Sequence, residues 1–177
     1  SRGLGDVYKR QDRYTATTKT LLEAVMLGIN AYKVLIQELD GLYDYIIFDC
    51  RPAVDNEIAQ IMRAVQYLMI PVNAADDSVD GVDTVLGYAS KIRHANPDLC
   101  VAGIFFEAVN MRTAVAHDYV PQIRAKYAPL ILETIVPHSE DAHKAESRHL
   151  PVTEAYPSGK ATRAYSKLVE EVLTRIG

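Results

Sequence analysis

Four short apolar runs separated by helical stretches decide most of what this chain can become. Tyr45–Phe48, Tyr67–Val72, Cys100–Phe106 and Leu130–Val136 are four to seven residues long. That is the length of a strand buried on both faces. The stretches around them carry apolar residues at helical spacing. Thr17–Leu39 places Leu21, Leu22, Val25, Ile29, Tyr32, Leu35, Ile36 and Leu39 on one side, weakened by Gly28 and stopped by Asp40-Gly41. Asn56–Val65 reads as a short helix capped by Asp55, and Val79–His94 as a helix starting near Ser78 and ended by Asn96-Pro97-Asp98. Thr113–Tyr127 is helical with a kink or break expected at Pro121. Ser139–Ser147 is a short helix or turn. Ala161–Ile176 is a final amphipathic helix with Ala164, Tyr165, Leu168, Val169, Val172, Leu173 and Ile176 on its apolar side. Strands alternating with helices imply βαβ units, a parallel sheet and right-handed crossovers that put helices on both faces.

Composition agrees. The 177 residues are 49% hydrophobic and 24% charged, values of an ordinary globular chain long enough to bury a core. No apolar run approaches a membrane span. The net charge of −4 excludes a generally basic nucleic-acid-binding protein. Cys50 and Cys100 are too few for a disulfide framework or a CxxC metal site, and beside strand-like runs they are expected to be buried free thiols in a reducing cytoplasm.

Ser1–Gln11, SRGLGDVYKRQ, has no apolar period and resembles the in-frame translation of a sequencing-library adaptor. It has no signal-peptide h-region, and its glycines lack the Gly-Lys-Ser/Thr ending of a phosphate loop. With this segment set aside, the expectation is one domain over residues 12–177. Its 16 basic and 22 acidic residues give a net charge of −6.

In an open α/β sheet, ligands bind beyond the carboxyl ends of the strands. Asp49 follows Tyr45–Phe48 there. A carboxylate so placed either holds magnesium against nucleotide phosphates or simply caps the next helix or pairs with a loop cation. His138, His143 and His149 do not share a helical face and show no zinc spacing, so they read as solvated loop residues. There is no G-x-S-x-G elbow to support a hydrolase triad. Lys91, Arg93, Arg124 and Lys126 could reach phosphates or form an ordinary solvated face.

The order of the segments is more specific than any one of them. Tyr43-Asp44-Tyr45-Ile46-Ile47-Phe48-Asp49-Cys50-Arg51-Pro52 resembles the Walker B and switch II segment of ParA/MinD-type partition ATPases. Ile70-Pro71-Val72, Gly81, Asn96-Pro97-Asp98-Leu99 with Ala102-Gly103-Ile104, and Arg112-Thr113 follow in that family's order. So do Val136-Pro137, Leu150-Pro151-Val152-Thr153-Glu154, Tyr156-Pro157 and Ala164-Tyr165.

The resemblance implies a doubly wound, mainly parallel α/β sheet of P-loop NTPase type, lacking its N-terminal P-loop strand and helix. It implies ATP and Mg2+ as cofactors. Asp49 would be the Walker B carboxylate, linked to Mg2+ through water, Pro52 part of switch II, and Pro137 and His138 the adenine-side loop. It also implies an ATP-state homodimer, non-specific DNA binding, and hydrolysis stimulated by a ParB-like centromere-binding partner. The setting would be cytoplasmic and nucleoid-associated, with no membrane partner. Arg51 stands where the family has proline, and His138 where it often has arginine. Without a phosphate loop or first switch, the chain as written should not hydrolyse ATP. The alternatives are an α/β binding module that kept the fold and lost the chemistry, and a relative using the fold for metabolic or maturation work.

Overall fold

The computed structural model of the chain describes residue 26 and residues 30–51, 55–74 and 78–177. Ser1–Gln11 and Pro52 therefore lie outside the described residues. The chain divides into two compact units, one formed by Ser1–Gln66 with Tyr88–Leu99 and the other by Tyr67–Gly87 with Cys100–Gly177.

In the first unit, helix α1 spans Ala31–Leu39 and α2 spans Asn56–Met62. The continuous helix expected from Thr17 to Leu39 is interrupted. Asn30 is extended and caps α1, its side-chain oxygen accepting from the amides of Tyr32 at 3.0 Å and Lys33 at 3.4 Å. Asparagine offers the backbone an alternative to helical bonding, which is why it starts helices better than it continues them. Its amide group also donates to the Gln60 carbonyl at 2.8 Å, so the cap fastens α1 to α2. At the other end Gly41, with φ +72°, reverses the chain as Asp40-Gly41 requires.

Tyr45–Phe48 is not a strand. It has no ladder partner among the described residues, and Tyr45 and Ile47 are 63% and 89% exposed. An apolar run becomes a strand only where another strand takes its amides and carbonyls. Cys50 and Cys100 are also exposed, against the expectation of burial. The unit's buried polar side chain, Asn96, is satisfied by the carbonyls of Met62 and Val65, both at 2.8 Å.

The second unit holds a parallel sheet, β1 (Tyr67–Val72), β2 (Cys100–Val109) and β3 (Ile131–Pro137), in the order β1-β2-β3. Helix α3 (Ser78–Ile92) joins β1 to β2, and α4 (Ala114–Lys126) joins β2 to β3. Pro121 sits inside α4 without dividing it, so the expected break does not occur. Val120 and Ile123 on either side are buried, so packing holds the helix through the missing amide. Then come α5 (Glu140–Ser147), α6 (Val152–Ala155) and α7 (Lys160–Ile176).

Alternation along the strands sorts two cores. Ile70, Val72, Ile104, Phe106 and Ile131 pack with Val82 of α3 and with Ala116, Val120 and Ile123 of α4. Met69, Phe105, Leu132 and Val136 pack with Leu168, Ala164, Tyr165 and Val172 of α7. Helices thus cover both faces, but both crossover helices lie on one face and the other is covered by the final helix α7, whereas the crossovers were expected to supply both. Val169 and Leu173, read as part of α7's apolar side, are exposed.

Candidate functional site

In the second unit the carboxyl ends of β2 and β3 are laced together. The amide of His138 donates to the Val109 carbonyl at 3.1 Å. The next residue, Asn110, closes a tight turn: its side-chain oxygen accepts from the Arg112 amide at 3.1 Å, and its carbonyl accepts from the Thr113 hydroxyl at 2.9 Å. Thr113 then caps α4 by accepting from the Ala116 amide at 3.2 Å. Ala108 has φ +52°, a conformation unfavourable for a side chain, one residue before this exit. Pro137 ends β3 and fixes the direction of the loop to His138.

His138 and His143 are exposed, as expected, but their rings meet with centroids 5.5 Å apart. Helical spacing could not show this, because His138 lies outside the helix, before α5 begins. His143 also lies 3.7 Å from the Glu146 carboxylate. No group of three or more metal-ligating side chains occurs among the described residues.

In the first unit Asp49 is exposed and has no ion pair among the described residues. The thiol of Cys50 beside it, though exposed, is pushed up, chiefly by partial loss of solvent around it and then by the charges of Asp49 and Glu57. Arg51 is held by two carboxylates, Asp55 at 2.9 Å and Glu57 at 3.2 Å. Asp55 simultaneously caps α2 through the Ile58 amide at 3.0 Å. The far oxygen of Glu57 accepts from the Tyr32 hydroxyl at 2.8 Å, and burial followed by Glu57 raises that phenol to about 12. The Tyr32 ring stands edge-on to Phe48. Sequence reading missed Tyr32 and Glu57. Glu57, two residues after the cap Asp55 in the first turn of α2, was a visible signal, whereas the reach of Tyr32 across 25 residues was not.

The basic residues considered for phosphate contacts are engaged within the fold. Arg124 bonds the Glu133 carboxylate and carbonyl, and Lys126 pairs with Asp83 at 2.6 Å. Arg93 donates to the Leu99 carbonyl, and Lys91 lies over the Tyr88 ring.

A parallel sheet covered by helices, with its loops gathered at the carboxyl ends of the strands, is the layout of a doubly wound α/β protein. The chain belongs to the AAA-domain family, whose model matches residues 13–101. Within that family it is of the ParA/MinD type.

It is similar to the chromosome-partitioning ATPase Soj of Treponema pallidum, 26% identical over 82% of this chain and 58% of that protein. It is likewise 24% identical to the sporulation initiation inhibitor protein Soj of Bacillus subtilis, over 73% of this chain and 52% of that one. The chain therefore spans between half and three fifths of these relatives. Among solved structures, the Pyrococcus furiosus cell division ATPase MinD superposes with a TM-score of 0.68 at 18% identity, covering 82% of this chain and 58% of that one. The Pyrococcus horikoshii MinD complexed with Mg-ADP gives 0.64 at 20% identity, covering 81% and 56%. These two show the fold.

Proposed function

We propose that this chain is the carboxyl-terminal part of a ParA-like ATPase for plasmid or chromosome partition. Its parent uses ATP and Mg2+, dimerises in the ATP state, binds DNA without sequence preference and is stimulated by a ParB-like partner, acting in the cytoplasm on the nucleoid. The observation that carries the reading is the ordered set of family segments together with the parallel sheet of the second unit, with Pro137 and His138 at the exit of β3. Among the described residues no helix is long and apolar enough to cross a membrane. Asp49 suits a water-mediated magnesium ligand because its exposed carboxylate has no ion pair among the described residues. Pro52 continues the segment as switch II, and Pro137 with His138 would flank the base.

The second reading, a binding module without ATPase chemistry, is favoured by Arg51. Where the family has proline, this side chain is tied to Asp55 and Glu57. Asp49→Ala in the full-length natural protein separates the two. Loss of an electrostatic stabiliser should cut hydrolysis by a factor on the order of 10² or more and weaken Mg-ATP-dependent dimerisation. In the 177-residue chain the substitution should leave ATP affinity unchanged. Normal turnover by the full-length variant would favour the module.

A further inference from the structure

The packing of α7 does not by itself fix where the helix sits along the sheet. Its inner row, Ala164, Leu168, Val172 and Ile176, repeats every four residues, so a slide of one turn presents an apolar side chain at nearly every place again.

A second row differs. The Glu171 carboxylate accepts from the backbone amides of Glu133 at 2.6 Å and Thr134 at 3.0 Å. Two consecutive strand amides reach one acceptor because β3 is irregular there: Ile104 pairs with Ile131 but Phe106 with Ile135. One turn later, the Arg175 guanidinium donates to the carbonyls of Ala102 at 3.3 Å, Leu130 at 3.0 Å and Ile131 at 3.0 Å. Among the described residues the buried Thr134 hydroxyl has no hydrogen-bond partner, although its proximity favours the ionised Glu171. Burial pushes the Glu171 carboxyl up, but the Glu133 and Thr134 amides, the Thr134 hydroxyl and the Arg175 charge together hold it below its ordinary value.

We infer that Glu171 and Arg175 form a register lock, an acceptor and a donor on successive turns of α7 that read the backbone of the irregular β2–β3 seam and admit one position of the helix. A slide of one turn in one direction sets Lys167 against the two amides and Glu171 against the carbonyls. A slide in the other sets Arg175 against the amides. Both place a cation against donors, so the wrong registers are disfavoured by charge as well as by lost bonds. The Tyr165 hydroxyl, bonded to Glu107 at 2.9 Å, also depends on register and is left in place in the test.

Amide hydrogen exchange of the full chain tests this residue by residue. In Glu171→Ala the Glu133 and Thr134 amides should exchange about tenfold faster or more, because bonds to a charged acceptor are the strong ones, while Phe106 in β2 stays protected. Glu171→Gln preserves shape and one carbonyl oxygen, and should give a smaller acceleration at the same two amides. The exchanged pair Glu171→Arg with Arg175→Glu decides the mechanism. If the two side chains chiefly neutralised each other, the exchange would restore protection. A backbone lock stays broken, since the strand's donors and acceptors cannot be exchanged. Restored protection in the exchanged pair would overturn the inference. So would unchanged exchange in Glu171→Ala, or equal acceleration of Phe106 in Glu171→Gln.

Discussion

Gly103→Ala tests the most closely packed of the described glycines. Gly103 lies in the middle of β2, on the face covered by α7. A methyl group added there would stand 2.7 Å from Leu132 Cγ and 2.9 Å from each of its terminal carbons. Ordinary carbon contacts are about 3.5–4.0 Å. Leu132 cannot simply turn aside, because it is fully buried against Leu168, Val136, Met69 and Phe105. Overpacking of this kind costs about 1–3 kcal/mol. The alanine recovers roughly 0.4–1 kcal/mol by restricting the unfolded chain. The net expectation is a loss of about 1–2 kcal/mol.

With a urea slope of roughly 2 kcal/mol/M, the unfolding midpoint should fall by about 0.5–1 M. Leu132→Ala alone should cost about 2–5 kcal/mol through the cavity it leaves. In the double variant the new methyl group occupies part of that cavity, so the two costs should fall short of additivity by about 1 kcal/mol or more. An unchanged midpoint in Gly103→Ala, or costs that add within ~0.5 kcal/mol, would refute the reasoning. A single transition in the same experiment is what one domain over residues 12–177 requires.

Ile47→Lys should raise the concentration at which the chain stays monodisperse by light scattering, since it breaks the exposed apolar run around Tyr45 and Ile47 without touching a buried contact; undiminished self-association would place the sticky surface elsewhere. Removing Ser1–Gln11 should change stability by less than ~0.5 kcal/mol, and a clear drop in melting temperature would mean that the segment belongs to the fold. Burial first, then its bond to Glu107, raises the Tyr165 phenol to about 12. A group with a raised folded pKa contributes stability that is complete below its unfolded value and lost as pH climbs through the folded one. Stability should therefore decline between pH ~10 and 12 less steeply in Tyr165→Phe than in the parent chain, measured by urea midpoints across that range.

The alternation of helices and strands, the parallel sheet, and the cap at Asp55 were legible in the residues themselves, because capping and hydrophobic periodicity act over a few neighbouring positions. β1 begins and ends where its apolar run does. The family order was legible for the same reason, as a series of short segments each carrying its own pattern. The site was legible only in part. Pro137 and His138 lie at the end of β3 as expected, yet the meeting of His138 with His143 depends on how the loop enters α5. The hold of Asp55 and Glu57 on Arg51 depends on rotamers rather than spacing alone. What the tertiary structure decided are the features that need a partner distant in sequence. Tyr45–Phe48 has the composition of a buried strand, yet Tyr45 and Ile47 are exposed and Ile46 and Phe48 only half-buried, because a strand is defined by the neighbour that pairs with it. Gly103 owes its necessity to Leu132, and Glu171 finds its amides 37 and 38 residues away. Local patterns fix which conformations a segment favours, but burial and hydrogen-bond satisfaction belong to pairs of segments, and those pairs exist only once the chain has folded.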